Sequence, residues 1–87
     1  MKYMTTWTIR PENVKAAIAR FKETGGQTPA GVTMIGRWHE MGTGRGVAVV
    51  ESDDPVAVSK FSFTWADLLD QTTVAVIEDA QLAAAMP

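Results

Sequence analysis

The chain has no cysteine. That excludes disulfides, thiolate metal ligands and cysteine nucleophiles, and it fits a reducing compartment, so a cytoplasmic location is expected. It has a single histidine. Without sulfur ligands, the only set left for a metal would be that histidine with two carboxylates, so neither a metal nor a cofactor is expected. Basic residues are not in surplus. Eight Lys and Arg stand against ten Asp and Glu, for a net charge of −2. They are scattered, which leaves no electrostatic footprint for nucleic acid or an anionic membrane. No apolar run approaches the roughly 20 residues of a membrane span. The stretch Met1–Trp7 lacks a long apolar core and a cleavage signal, and reads as a strand rather than a signal peptide.

What is present is globular. Hydrophobic residues make up 46% and charged residues 21% of 87, enough for one domain, residues 1–87, and not two. A domain of this size buries only about 60–65% of the surface its unfolded chain exposes, so its own core is thin.

Periodicity orders the elements. Lys2 to Ile9 is rich in Thr, Tyr, Trp and Ile and reads as a strand. Arg10-Pro11-Glu12 opens a helix, because proline loses nothing at the first helical position and Glu12 suits the positive end of the dipole. Val14, Ala17, Ile18 and Phe21 form its apolar stripe, and Gly25-Gly26 stops it. Gly31 to Met41 reads as a second strand, Gly42 to Gly46 as a turn and Val47 to Glu51 as a third strand, which together predict an antiparallel hairpin. Asp53-Asp54-Pro55 is a capped helix start. Val58, Phe61, Trp65 and Leu68 continue that helix to about Leu69. Thr72 to Ile77 reads as the fourth strand, and Glu78 to Met86 as a short terminal helix. The fold class is therefore α+β, a ferredoxin-like βαββαβ domain with a four-stranded antiparallel sheet.

The strands also predict a homodimer. Val47-Ala48-Val49-Val50 and Val74-Ala75-Val76-Ile77 are apolar on both faces, whereas a sheet with one wet face alternates. Two helices of this topology cover one face. A second copy, sheet against sheet, covers the other and removes an apolar patch larger than monomers usually show.

Gly36-Arg37-Trp38-His39, Gly44-Arg45-Gly46 leading into Val49-Val50-Glu51, Asp53-Asp54-Pro55 and Trp65-Ala66-Asp67-Leu68 together resemble a small bacterial family of about this length with no assigned function. That family is usually placed in the dimeric α+β barrel superfamily. The superfamily includes muconolactone isomerases, cofactor-free antibiotic-biosynthesis monooxygenases, stress-responsive barrel proteins and haem-binding members. The resemblance implies the fold, the dimer and a pocket between sheet and helices. It assigns no reaction, since no catalytic residues of an enzyme branch match. His39 is the only histidine available as an axial haem ligand, and nothing else here points to haem.

His39 is the candidate catalytic residue, because imidazole exchanges protons near neutral pH. Plain strand alternation puts it on the face of Arg37, Ile35 and Met41, opposite Trp38, Met34 and Glu40. The candidate ligand-binding residues are Arg37, Trp38, His39 and Trp65. Arg37 can neutralise a ligand carboxylate, or else pairs with Glu40 or Glu51. Trp38 and Trp65 can line an aromatic cavity, whereas Trp7 is expected in the core. Asp67 is expected on the solvated side of its helix or at its end. Gly42 to Gly46 lies between two strands, so it is a hairpin turn and not a phosphate loop.

Three functional readings follow: a dimeric binding domain for a small apolar or aromatic ligand; a cofactor-free enzyme, isomerase- or monooxygenase-like, acting on a small aromatic or polyketide-like compound with His39 as proton carrier; and a stress-related interaction protein without a ligand. A packed interior favours the third, an open cavity with His39 in its wall the second, and an open cavity with His39 outside it the first.

Overall fold

The computed structural model describes all residues, 1–87. Its elements are β1 (Lys2–Ile9), α1 (Val14–Thr24), β2 (Thr33–His39), β3 (Arg45–Glu51), α2 (Pro55–Phe63), β4 (Leu69–Val76) and α3 (Asp79–Ala85). The sheet order is β2-β3-β1-β4 with every neighbouring pair antiparallel. This is the ferredoxin-like βαββαβ arrangement that the alternation of periods predicts.

Local chemistry sets the element ends. Pro11–Asn13 forms a 3-10 turn ahead of α1, so the helix itself starts three residues later than the proline suggests. Gly25 closes α1 in the left-handed region at φ 67°, its N–H donating to Phe21 O, a conformation that glycine adopts without steric cost. Asp54 caps α2 by accepting from Val56 N at 2.9 Å, with Pro55 in the first turn. Ser52 Oγ donates to Gly31 O at 2.7 Å and accepts from Asp54 N at 3.0 Å. One buried hydroxyl thereby joins the segment entering β2 to the start of α2.

The second helix is shorter than its periodicity predicts. It ends at Phe63, and Trp65 to Leu68 continue in turns such as Trp65 N to Ser62 O and Leu68 N to Trp65 O. Strand pairing limits it: Leu69 pairs with Ile9 and Gln71 with Trp7, so β4 begins before the expected Thr72. Gly46 likewise belongs to β3, opposite Trp7, and not to the turn. A Cβ on Gly46 would overlap the Trp7 indole and lie 2.8 Å from Trp38 O. Glycine is what lets the ring lie across the neighbouring strand.

A β-bulge in β2 changes the expected parity. Met34 pairs with Val50 and Gly36 with Val49, so Ile35 is an extra residue. The bulge returns Met34 to the face of Arg37 and His39 and leaves Ile35 exposed, where simple alternation puts Ile35 with His39 and Met34 with Trp38.

The core is thin and lies beneath α2. Val32, Val50, Ala57 and Val58 form its centre, with Tyr3, Met34 and Phe61 packed against it. Leu68 is also buried. The stripe of α1 is only partly covered: Ala17 is buried, but Val14, Ile18 and Phe21 remain 36%, 48% and 38% exposed. Between that stripe and the sheet lies a cavity. On the other face lie Met4, Val47, Val49, Val74, Val76 and Trp38, which no helix covers, since every residue of α3 is exposed. No helix is long and apolar enough to cross a membrane.

Candidate functional site

The cavity between the sheet and α1 has a volume of about 400 Å³. Strand alternation supplies its floor: Thr5, Trp7 and Ile9 from β1, Ala48 from β3, and Leu69 and Gln71 from β4. Ile18, Phe21 and Lys22 come from α1, and Phe61, Ser62 and Trp65 from α2 and the turn after it. Met34, Arg37 and His39 of β2 close the remaining side. The bulge at Ile35 is what aligns those three side chains.

A line of neutral polar groups crosses the floor. Thr5 Oγ1 and Thr73 Oγ1 share a hydrogen bond of 2.7 Å, and Ser62 Oγ lies 3.2 Å from Thr73 Oγ1. Gln71 Nε2 donates to Ser62 O at 2.5 Å. A small number of fixed polar groups among aromatic and aliphatic walls is the usual form of a small-molecule site, because apolar burial supplies affinity and the polar groups set orientation.

His39 stands in the cavity wall. Its ring makes edge contacts with Trp7 (centroids 5.6 Å apart) and Phe21 (5.8 Å), joining the sheet floor to α1. No carboxylate contacts it in the manner of a catalytic dyad. Arg37 also faces this side, but its guanidinium is engaged: Nη1 donates to Gly26 O at 2.9 Å and Nη2 to Gly25 O at 3.1 Å, while its carbon lies 4.9 Å from the Phe21 ring centroid. It binds the end of α1, where carbonyls lack helical partners and a cation is favoured. The expected ion pairs with Glu40 or Glu51 do not form. Glu40 pairs with Arg45, and Glu51 with Lys2 and the terminal ammonium. Gly26 makes room for this contact, since a Cβ there would lie 2.6 Å from Arg37 Nη1.

Asp67 holds α1 through Arg20, on its second half. Arg20 donates to both of its carboxylate oxygens, at 2.8 and 2.7 Å, and to Thr64 O at 2.8 Å. These hydrogen bonds from Arg20 hold the Asp67 carboxyl below the usual range for aspartate. The same guanidinium lies 5.4 Å from the Trp65 ring centroid. Thus Arg37, from β2, and Arg20, from the helix itself, fasten the C-terminal half of α1 over the cavity, and Asn13 Nδ2, donating to Leu68 O at 3.2 Å, ties its start.

Of the four sequence-derived ligand residues, Arg37, His39 and Trp65 line one cavity. Trp38 lies on the opposite sheet face, 59% exposed, beside a shallow polar depression that includes Glu40, Arg45 and Asp70. Sequence reasoning missed Trp7 as a wall and Phe21, Lys22, Ser62 and Gln71 as lining. Trp7 was legible in principle from its even spacing with Thr5 and Ile9. The depth of the space under α1 was not, because an apolar helix stripe reads the same over a core or a cavity. No group of three His, Asp or Glu side chains is placed to hold a metal ion.

No curated protein matches the chain. Among solved structures, that of Rv0793 from Mycobacterium tuberculosis is similar, with a TM-score of 0.52 and 14% identity over 91% of this chain and 96% of that one. A likeness at that identity shows the fold. The family described as a domain of unknown function, DUF3303, matches residues 1–87, and the chain belongs to it.

Proposed function

We propose that this DUF3303 chain is a small-molecule-binding domain of the dimeric α+β barrel kind, taking a small apolar or aromatic ligand between its sheet and α1. The observation that carries the reading is the open cavity of about 400 Å³, within the roughly 300–1,000 Å³ typical of ligand sites. A domain with so thin a core gains stability by filling such a space, and leaving Ile18 and Phe21 half out of water without an occupant has no structural benefit. The open interior argues against an interaction protein whose pocket is incidental.

His39 in the wall of an open cavity, within reach of a bound molecule and of bulk water as a proton carrier must be, is the arrangement that favours the second reading, a cofactor-free enzyme. No carboxylate hydrogen-bonds its ring, which packs on Trp7 and Phe21 instead, so binding stands first. The dimer belongs to the same proposal. Met4, Val47, Val49, Val74 and Val76 form an apolar sheet face that α1 and α2 leave uncovered, and a second copy would cover it.

A thermal-shift screen of small apolar and aromatic compounds tests the binding reading. Hits should raise the melting temperature of the native chain and lose that effect in Ala48→Phe, which fills the floor between Thr5 and Arg37. Hits that stabilise both chains equally, or no hits at all, would contradict it. Once a ligand is known, His39→Ala separates the readings. A general base would cost about 10²–10⁴ in rate, whereas a neutral hydrogen bond would cost only about 0.5–1.5 kcal/mol of affinity.

A further inference from the structure

We infer that the cavity selects an amphipathic organic monoanion, its apolar rings or chain inside and a single carboxylate, sulfonate or phenolate at the rim beside Lys22. The inference rests on the binding reading above and adds the ligand's charge.

The chain carries more acidic than basic residues, yet no Asp or Glu lines the cavity, while Lys22, Arg37 and His39 do. Three nearby carboxylates are paired elsewhere, and Glu23, next to Lys22 in α1, is not among the lining residues. Asp67 is held by Arg20, Asp70 by Arg10 and Glu40 by Arg45. Lys22 sits in the last turn of α1 and makes no ion pair. Arg37 is engaged with the carbonyls of Gly25 and Gly26, which leaves Lys22 as the mobile cation of the rim. A ligand cation would meet positive charge with no compensating acid, so the site discriminates against amines.

Depth fixes where the charge lies. The floor offers only Thr5, Ser62 and Gln71, which are neutral and already bonded, Thr5 and Ser62 to Thr73 and Gln71 to Ser62 O. An anion pushed down to them would lose its hydration without gaining a cation. At the rim it keeps part of its water and meets the Lys22 ammonium, while the aromatic walls take the apolar body. A polyphosphate does not suit this arrangement. A single flexible lysine matches a single charge.

The test uses two dyes that share a ring system: 8-anilinonaphthalene-1-sulfonate, which carries one anionic group, and N-phenyl-1-naphthylamine, which carries none. Both are titrated by fluorescence into the full chain, Lys22→Met, and the cavity-filled variant Ala48→Phe, with Ile18→Trp as a second filled variant should Ala48→Phe not fold. Lys22→Met should weaken the sulfonate about fivefold, the size of one partly solvated ion pair, and leave the neutral dye unchanged within about twofold. Both dyes should be lost from the filled variant. Equal effects of Lys22→Met on the two dyes, or none on the sulfonate, would overturn the inference and leave the binding reading intact. Undiminished binding of both dyes to the filled variant, or no binding to the native chain, would overturn both.

Discussion

Replacing Gly46 with alanine sets two opposed effects against each other. Gly46 lies within β3, where alanine restricts the unfolded chain and is favoured over glycine by about 0.5–1 kcal/mol. Against that, the new Cβ would lie 2.6 Å from Trp7 Cε2 and 2.8 Å from Trp38 O. Both are well inside van der Waals contact, and the second atom is backbone and cannot rotate away. Overpacking that forces ring and backbone shifts costs about 1–3 kcal/mol. The clash should win, for a net loss of about 1–2 kcal/mol, which lowers the melting temperature of a domain this size by roughly 5–15 °C. Thermal unfolding followed by circular dichroism measures it. Repeating the substitution in a Trp7→Leu background should shrink the loss, because one of the two obstacles is gone. An unchanged or raised melting temperature for Gly46→Ala would refute the claim that this glycine exists to seat the Trp7 ring.

Two further outcomes follow from the same geometry. The Asp67 carboxyl is held below its usual range by hydrogen bonds from Arg20, so its contribution is present above the unfolded value of about 3.9 and is lost as pH falls through the lower folded value. Urea midpoints of the native chain should therefore exceed those of Asp67→Asn at pH 7, and the gap should close under strong acid; a gap independent of pH would contradict the assignment. The uncovered sheet face should make the chain a dimer, and light scattering at micromolar concentration should report about twice the chain mass of 9.4 kDa. Val74→Glu, exposed on the edge strand β4 of that face, should halve the value, and a stable native monomer would remove the dimer from the account.

The order of elements was readable because each carries its own period and its own punctuation. Pro11, Gly25 and the Asp54-Pro55 pair mark helix ends through mechanisms that act within a few residues. What escaped was non-local. The Ile35 bulge leaves no mark in Thr33–His39, which alternates acceptably either way, so the partnership of Met34, Arg37 and His39 depends on the pairing to β3. The end of α2 is set by the pairing of Leu69 with Ile9, whereas Trp65 and Leu68 keep helical spacing beyond it. Arg37 and Arg20 were visible as cations, but their partners, two glycine carbonyls and Asp67, are fixed only once α1 folds back over the sheet.

The three tryptophans provide the most direct test of the central claim, since Trp7 and Trp65 line the cavity while Trp38 lies on the other sheet face. Their three indole N–H signals can be followed in a nitrogen–proton correlation spectrum as naphthalene is titrated into the native chain. Binding in the cavity should shift the Trp7 and Trp65 signals in a saturable way and leave Trp38 in place. A saturable shift of Trp38 alone, or no shift of any of the three, would contradict a ligand site between the sheet and α1.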